Sequence, residues 1–579
     1  MFQLIKKNLK GMALIYSLLA PLLMLIEVFM DLQQPRLMAN IVDIGVQNRD
    51  SGYILSTGFK MVLCAFAGLI GGAGCGVIAS FASMMLAGSL REELFHKIQS
   101  LSYTEIDHFK TSSLITRLTN DVTQIQNMFL MLLRGMVRSP LLCIGGIFMS
   151  FLLSPSLSIV FFIILPILIT CVAFVMMRSV PLYTQMQFWL DKVNTVMREN
   201  LLGVRVIKAF NLEDKQNTLF SNVNTKFTEK SIRAQNLTFT LMPIATLVMN
   251  LSVVAILWFG GNMVVSENIE TGKIMAFVNY LVQITNSLIM LVNMIINISR
   301  AQASAGRIKE VLVCEASIKE CNSPVLPKNY DIEFKNVSFR YGESGEYVLK
   351  DLSFLFKEGQ TVGIIGATGS GKSSVVSLIP RLYEATCGQV LIGGCDVKDM
   401  PVQHLRSSIG VVLQENILFH GTVKENMNFG NEEADEAKIW DGLQAAQAED
   451  FIQALPYKLQ SQVEQRGKNF SGGQKQRLSI ARTLLKKPKI LIFDDSTSAV
   501  DLSTEARLQF EIAKKMKENT VIVIAQRISG VMDADTILML DHGSVIAKGT
   551  HKELLQSNEV YRNIAVSQLG KEVLLNATE

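Results

Sequence analysis

The 579-residue chain has eight cysteines but no C-x-x-C pair and no Cys/His cluster. That argues against a disulfide framework and against a thiolate metal site. The cysteines sit in apolar or strand-like stretches and read as reduced, small hydrophobic residues. Charge imbalance is slight as well, with a net +4. Nothing global therefore points to nucleic acid, and membrane orientation alone accounts for the basic excess. Charge is missing altogether from Met61–Leu90 and from Ser139–Met177. With 49% hydrophobic residues and a mean hydropathy of +0.29, these gaps exclude an ordinary soluble protein for the first half of the chain.

A helix crossing a bilayer needs about 20 mostly apolar residues. Gly11–Met30, which carries Glu27 near its end, and Met61–Leu90 each meet that need. Ser139–Met177 is too long for one span and is broken at Ser154-Pro155-Ser156, so it predicts two helices joined by a tight outer turn. Ala234–Ser266 and Ile274–Ser299 bring the expected total to six. The first apolar run is long and lacks a small-residue cleavage site, so it reads as a span rather than a signal peptide.

Lys6, Lys7 and Lys10 precede the first span, and Arg91–Arg138 and Arg178–Arg233 are rich in Lys and Arg. The positive-inside tendency predicts cytoplasmic termini and cytoplasmic long segments. Apolar residues recur at helical spacing in Leu114–Gln126 and Val193–Phe210, which predicts helical extensions of the spans rather than surface-lying helices. Each pair of extensions should meet near His108–Ser112 and Gly203–Phe210. Glu27 and Asp31 lie four apart on one helical face. They suit a cationic substrate or, at the outer interface, a basic neighbour. Arg134 and Arg138 are expected to mark the inner interface. The many methionines in the spans suit either an adaptable binding surface or ordinary packing.

Composition changes after residue 314. Residues 1–314 read as the membrane domain, 315–330 as a polar linker, and 331–579 as an α/β domain. Within the last, the apolar strand Thr361–Ile365 runs into Gly366-Ala-Thr368-Gly369-Ser370-Gly371-Lys372-Ser373-Ser374 and then a helical pattern. This is the P-loop in its required strand–loop–helix setting. Its backbone N–H groups curl around phosphates, Lys372 reaches the terminal phosphates, and Ser373 can bind Mg²⁺. The strand-like run Ile490–Asp494 ends in an acid placed to hold the Mg²⁺ shell through water.

Ser471-Gly472-Gly473-Gln474 then opens a helical run about a hundred residues after the P-loop. A generic P-loop NTPase has no need of it. With this motif the chain resembles the ATP-binding cassette (ABC) transporters, and its membrane half is similar to that of ABC exporters. The resemblance spans nearly the whole chain and implies further roles. Tyr341 matches the aromatic that stacks on adenine, and Gln414 the Q-loop residue that touches Mg²⁺. Gln465–Gly467 takes the place of the X-loop, and Ser498–Asp501 that of the D-loop, with Asp501 its acid. The SGGQ motif of one chain would cap the ATP held by another, so the resemblance implies a dimer.

Two positions depart from the family. The catalytic Glu is replaced by Asp495 and the switch His by Gln526. A carboxylate one methylene shorter is displaced by about an ångström, an error that can cost roughly a hundredfold in rate. Glutamine donates a hydrogen bond but carries no proton back and forth. The resulting expectation is a bacterial, plasma-membrane ABC exporter subunit that binds ATP and hydrolyses it slowly. Its SGGQ would complete the active site of a second, non-identical half-transporter. Cargo is expected to be small and amphipathic or hydrophobic, with drugs first, and contact with membrane lipids follows from the spans. The rival expectations are a homodimeric lipid or peptide exporter, which the absence of an N-terminal peptidase-like domain disfavours for peptides, and an ATP sensor that transports nothing.

Overall fold

The computed structural model describes residues 1–266, 269–321, 324–342, 345–495 and 502–570. Side chains are not described for residues 172, 292, 293, 295, 296, 299, 502 and 503. The chain divides into two compact units. One comprises Met1–Gln99 and Ser112–Cys314; the other comprises Ser100–Thr111 and Glu315–Glu579.

The first unit is helical. Among the described residues, six helices are long and apolar enough to cross a membrane: Met12–Val46, Ser51–Gln99, Thr111–Leu153, Pro155–Leu202, Glu213–Val265 and Thr271–Leu291. All but the last far exceed the roughly 20 residues that a span needs. The expected extensions are thus continuous with their spans, and the last helix itself runs on to Val313. Ser154 is the non-helical N-cap before Pro155, where proline's missing N–H costs no helical bond. That is the turn anticipated within Ser139–Met177. Buried Tyr280 ties two helices together by donating to the Leu32 carbonyl at 2.7 Å. Phe277 stacks on Phe161 beside it, with ring centroids 5.8 Å apart. Farther along, Asp121 is buried and receives the Arg307 guanidinium through two nitrogens, while Arg117 pairs with Glu310 at 2.9 Å. RLTNDV thus contributes a fastening between helices.

The second unit is α/β. Its six-stranded sheet runs Ser544–Gly549, Thr536–Asp541, Thr361–Gly366, Thr520–Ile524, Ile490–Asp494, Ile409–Val412. All neighbours are parallel except the Ser544–Gly549 edge. Such strands are covered on both faces, and the near-continuous burial of Ile490–Asp494 follows from that. A second, antiparallel sheet includes Ile332–Phe339, Leu349–Phe356 and Cys387–Ile392. Phe334, Phe354 and Phe356 stack within the core beneath it.

The short helix Tyr103–Phe109 packs with this second unit. Glu105 accepts from the N–H groups of Ser102 at 2.9 Å and Ser317 at 3.2 Å. Burial pushes its carboxyl upward, but these hydrogen bonds prevail and hold it below the ordinary glutamate value. Tyr383 donates to Asp107 at 2.6 Å.

Candidate functional site

Three neighbouring parallel strands end together. Thr520–Ile524 lies between the P-loop strand and Ile490–Asp494, with Ile524 level with both Ile364 and Asp494. Ligands of open α/β sheets bind in the crevice beyond such carboxyl ends. Here the crevice is lined by residues from Thr368–Ser374, with Gln414, Asp494, Asp495 and Gln526. The sheet register therefore assembles residues separated by more than 150 positions in sequence.

The P-loop turns where glycine is required. A Cβ on Gly366 would lie 2.2 Å from the Leu540 carbonyl oxygen, and Gly371, at φ +97°, caps the helix Lys372–Leu378. Lys372 is largely buried, and its ammonium donates to the carbonyls of Gly366 at 2.8 Å and Ala367 at 2.9 Å. Burial lowers its pKa, while Asp495 and Asp494 oppose that shift. An anion arriving at this loop would thus meet a cation whose charge is poorly solvated.

Asp494 is 8% exposed and accepts from the Ser373 hydroxyl at 2.9 Å. Burial raises its pKa and the Asp495 charge adds to that, whereas the Ser373 bond and Lys372 pull it down. One carboxylate beside one hydroxyl suits Mg²⁺, which keeps water and phosphate among its ligands. Asp495 follows at φ +49°, a left-handed conformation that aspartate tolerates, and its N–H donates to the Ile524 carbonyl at 3.1 Å. Its side chain accepts from the Gln526 amide at 2.6 Å, and the Gln414 amide is 3.5 Å from the same oxygen. The two sequence departures are therefore direct partners. Gln414 shares their pocket, at the outer limit of hydrogen-bond reach.

Tyr341 is half-exposed. Its hydroxyl lies 2.9 Å from the Ser374 hydroxyl, and its ring meets Tyr383 edge-on at 5.2 Å. Ser471 caps the helix Gly472–Leu485 and forms a reciprocal capping box with Gln474. None of Ser471, Gly472, Gly473 or Gln474 lines the crevice. Asp501, with the rest of Ser498–Asp501, lies outside the described residues.

In the membrane unit, Glu27 and Asp31 both pair with Arg138, at 3.1 and 3.0 Å. Of the two readings of these acids, a cationic substrate or a basic neighbour at the outer interface, the structure supplies a basic neighbour, and it is Arg138, which the sequence assigns to the inner interface. The first helix does not stop near Met30 but continues to Val46, so Glu27 lies near its middle. Mutual neutralisation lets that helix carry both acids through.

Comparison with known proteins agrees with these two units. The family model of the ABC transporter transmembrane region matches residues 17–288, and the family model described as ABC transporter matches residues 349–498. The uncharacterized ABC transporter ATP-binding protein YfiB of Bacillus subtilis (strain 168) is 42% identical, over 96% of this chain and 97% of its own. The chain belongs to the ABC transporters. YgaD of the same organism, provisionally named a multidrug export ATP-binding/permease protein, is 32% identical over 83% of each chain. A bacterial Atm1-family ABC exporter solved with ATP bound has the same fold, with a TM-score of 0.80 over 96% of this chain and 98% of that one, at 24% identity.

This ABC transporter is therefore an ATP-hydrolysing membrane transporter with an exporter fold. Sequence reasoning missed Tyr383, which touches both Tyr341 and Asp107. The only local sign was an aromatic soon after the P-loop helix. Reasoning from sequence also missed Val348 and Ile524 in the crevice wall, which nothing distinguishes from ordinary core residues.

Proposed function

We propose that this chain is the degenerate-site subunit of a heterodimeric ABC exporter in the plasma membrane, with its termini and cassette in the cytoplasm. Lys372 and the P-loop N–H groups hold the phosphates of ATP, and Tyr341 swings from Ser374 to face the adenine. Ser373 and Asp494 hold Mg²⁺, Asp494 through water, with Gln414 beside them. Mg²⁺, when bound, neutralises phosphate charge.

The observation that carries this reading is the Gln526–Asp495 hydrogen bond of 2.6 Å. The carboxylate directly after the Mg²⁺-site acid is engaged by an amide that cannot take up a proton. Water activation needs a base placed to within a fraction of an ångström. ATP is therefore held here and turned over slowly, by Asp495 and Gln526. The Ser471–Gln474 turn, with Asp501 nearby in sequence, serves the ATP bound by a non-identical partner. The short helix Val204–Ala209 supports an assembly larger than one chain, because Leu202, Val206 and Phe210 are mostly exposed around it. Closure on ATP turns the membrane cavity outward, and hydrolysis in the partner's site resets it. Cargo is an amphipathic or hydrophobic compound of the drug type, in keeping with the provisional name of YgaD.

The test is to purify the chain alone and with the half-transporter encoded beside it. Tight ATP binding with slow hydrolysis alone, and drug-stimulated turnover in the pair, are expected. Robust hydrolysis by the chain alone would contradict the degenerate site and favour a homodimer. A pair that hydrolyses ATP but moves no compound would favour an ATP sensor.

A further inference from the structure

Arg134 and Arg138 are one turn apart on the same helix, yet their surroundings differ. Arg138 takes both nearby acids, Glu27 and Asp31. Arg134 forms no hydrogen bond or ion pair among the described residues. It lines a groove of ≈ 610 Å³ with Gly72, Ala73, Gly76, Val77 and Phe81 of the neighbouring helix. That volume lies in the range of small-molecule sites, about 300–1,000 Å³. Gly76 is at the middle of the uncharged run Met61–Leu90, so at 1.5 Å per residue the nearest flanking charges of its helix are roughly 20 Å away. A Cβ on Gly76 would still be 3.9 Å from Arg134 Nη1, so the guanidinium reaches that depth. An ionisable group at membrane depth without a partner marks a ligand path.

We infer that Arg134 and this groove bind an anionic amphiphile, a carboxylate or phosphate head on a hydrocarbon tail. The head pairs with Arg134 through the forked geometry that guanidinium offers to both anions. The tail lies along Val77 and Phe81, and Ala73 and Gly76 leave it room. Arg138 already pairs with both Glu27 and Asp31, which offsets the acids that suggested a cationic cargo. This inference rests on the exporter reading for the ligand's role as cargo, but binding itself requires neither hydrolysis nor the heterodimer.

Binding is tested with the full chain in nanodiscs of zwitterionic lipid. Four photoactivatable probes share one twelve-carbon tail and end in a carboxylate, a phosphate, an alcohol or a trimethylammonium group. The carboxylate and phosphate should label the Gly72–Phe81 region, and the other two should not. Arg134→Gln should reduce labelling at least tenfold, with Arg134→Lys retaining most of it. Ala73→Trp, at an exposed position, should block labelling by filling the groove, and it serves if Arg134→Gln fails to fold. Adding anionic phospholipid to the discs separates two sources of the same chemistry. Loss of labelling identifies a lipid headgroup as the occupant; persistence identifies a free amphiphile. Equal labelling by the trimethylammonium probe, or labelling indifferent to both Arg134→Gln and Ala73→Trp, would overturn the inference. ATP turnover is not read, so failure here is distinct from failure of the heterodimer reading.

Discussion

The side-chain amide of Gln526 donates to Asp495 across 2.6 Å. Gln568 of the helix Glu559–Leu569 secures the loop that carries this amide. It donates to the Gln526 carbonyl at 3.1 Å and accepts from the Ile528 N–H at 2.7 Å. Gln526→Glu would set a second carboxylate against Asp495, and like charges at that distance disfavour joint ionisation. Affinity for MgATP should fall about tenfold, measured by fluorescent-nucleotide titration. Unchanged affinity would mean that Asp495 does not face the phosphates.

Lys372 carries its charge at a cost, because burial lowers its pKa more than Asp494 and Asp495 raise it. Lys372→Ala should therefore leave the stability of the nucleotide-free cassette unchanged or slightly higher. It should also abolish protection by ATP, which for the parent protein is about 2.7 kcal/mol at a hundred times Kd. Protease-resistance assays with and without nucleotide check both parts.

Arg138 neutralises Glu27 and Asp31 together. Arg138→Met would leave two carboxylates in an apolar helix without the cation that pairs with both. Yield of folded protein should collapse. Glu27→Gln in the same chain should restore part of it, because only Asp31 then remains uncompensated. Detergent-stable yield by size exclusion reads the rescue.

The six spans were legible because long uncharged runs have few other uses, and the P-loop because its glycines must follow one another. The identity of the basic partner of the first span's acids was hidden for the opposite reason. Charge in an apolar run signals a boundary unless its neutralising partner is known, and Arg138 lies more than a hundred residues away. The Asp495–Gln526 contact was likewise hidden. Each departure was visible singly, but only the register of Thr520–Ile524 beside Ile490–Asp494 makes them partners. Tyr383 gave no sign of its position between Tyr341 and Asp107, because that contact depends on Ser100–Thr111 packing with the cassette.

His551 lies 2.7 Å from the hydroxyl of Tyr561. Burial lowers its pKa from 6.5, with Asp533 pulling weakly upward. Burial also raises Tyr561 to about 12. Below pH 6.5 the unfolded chain takes up a proton that the folded histidine refuses, so stability is lost as pH falls. Amide exchange in Glu559–Leu569 should quicken, beyond its intrinsic pH dependence, between pH 7.5 and 5.5. His551→Gln should remove that pH dependence.

Asp495 and Gln526 are proposed to limit hydrolysis at a site that otherwise binds ATP. Asp495→Glu combined with Gln526→His restores carboxylate reach and a proton-carrying switch. The decisive measurement is single-turnover hydrolysis of ATP bound to this chain's P-loop, in the assembled pair, with the partner's own site blocked by mutation. A rise of about a hundredfold over the parent is predicted, from the cost of misplacing a base by about an ångström. Fast turnover in the parent, or no gain in the double variant, would contradict it.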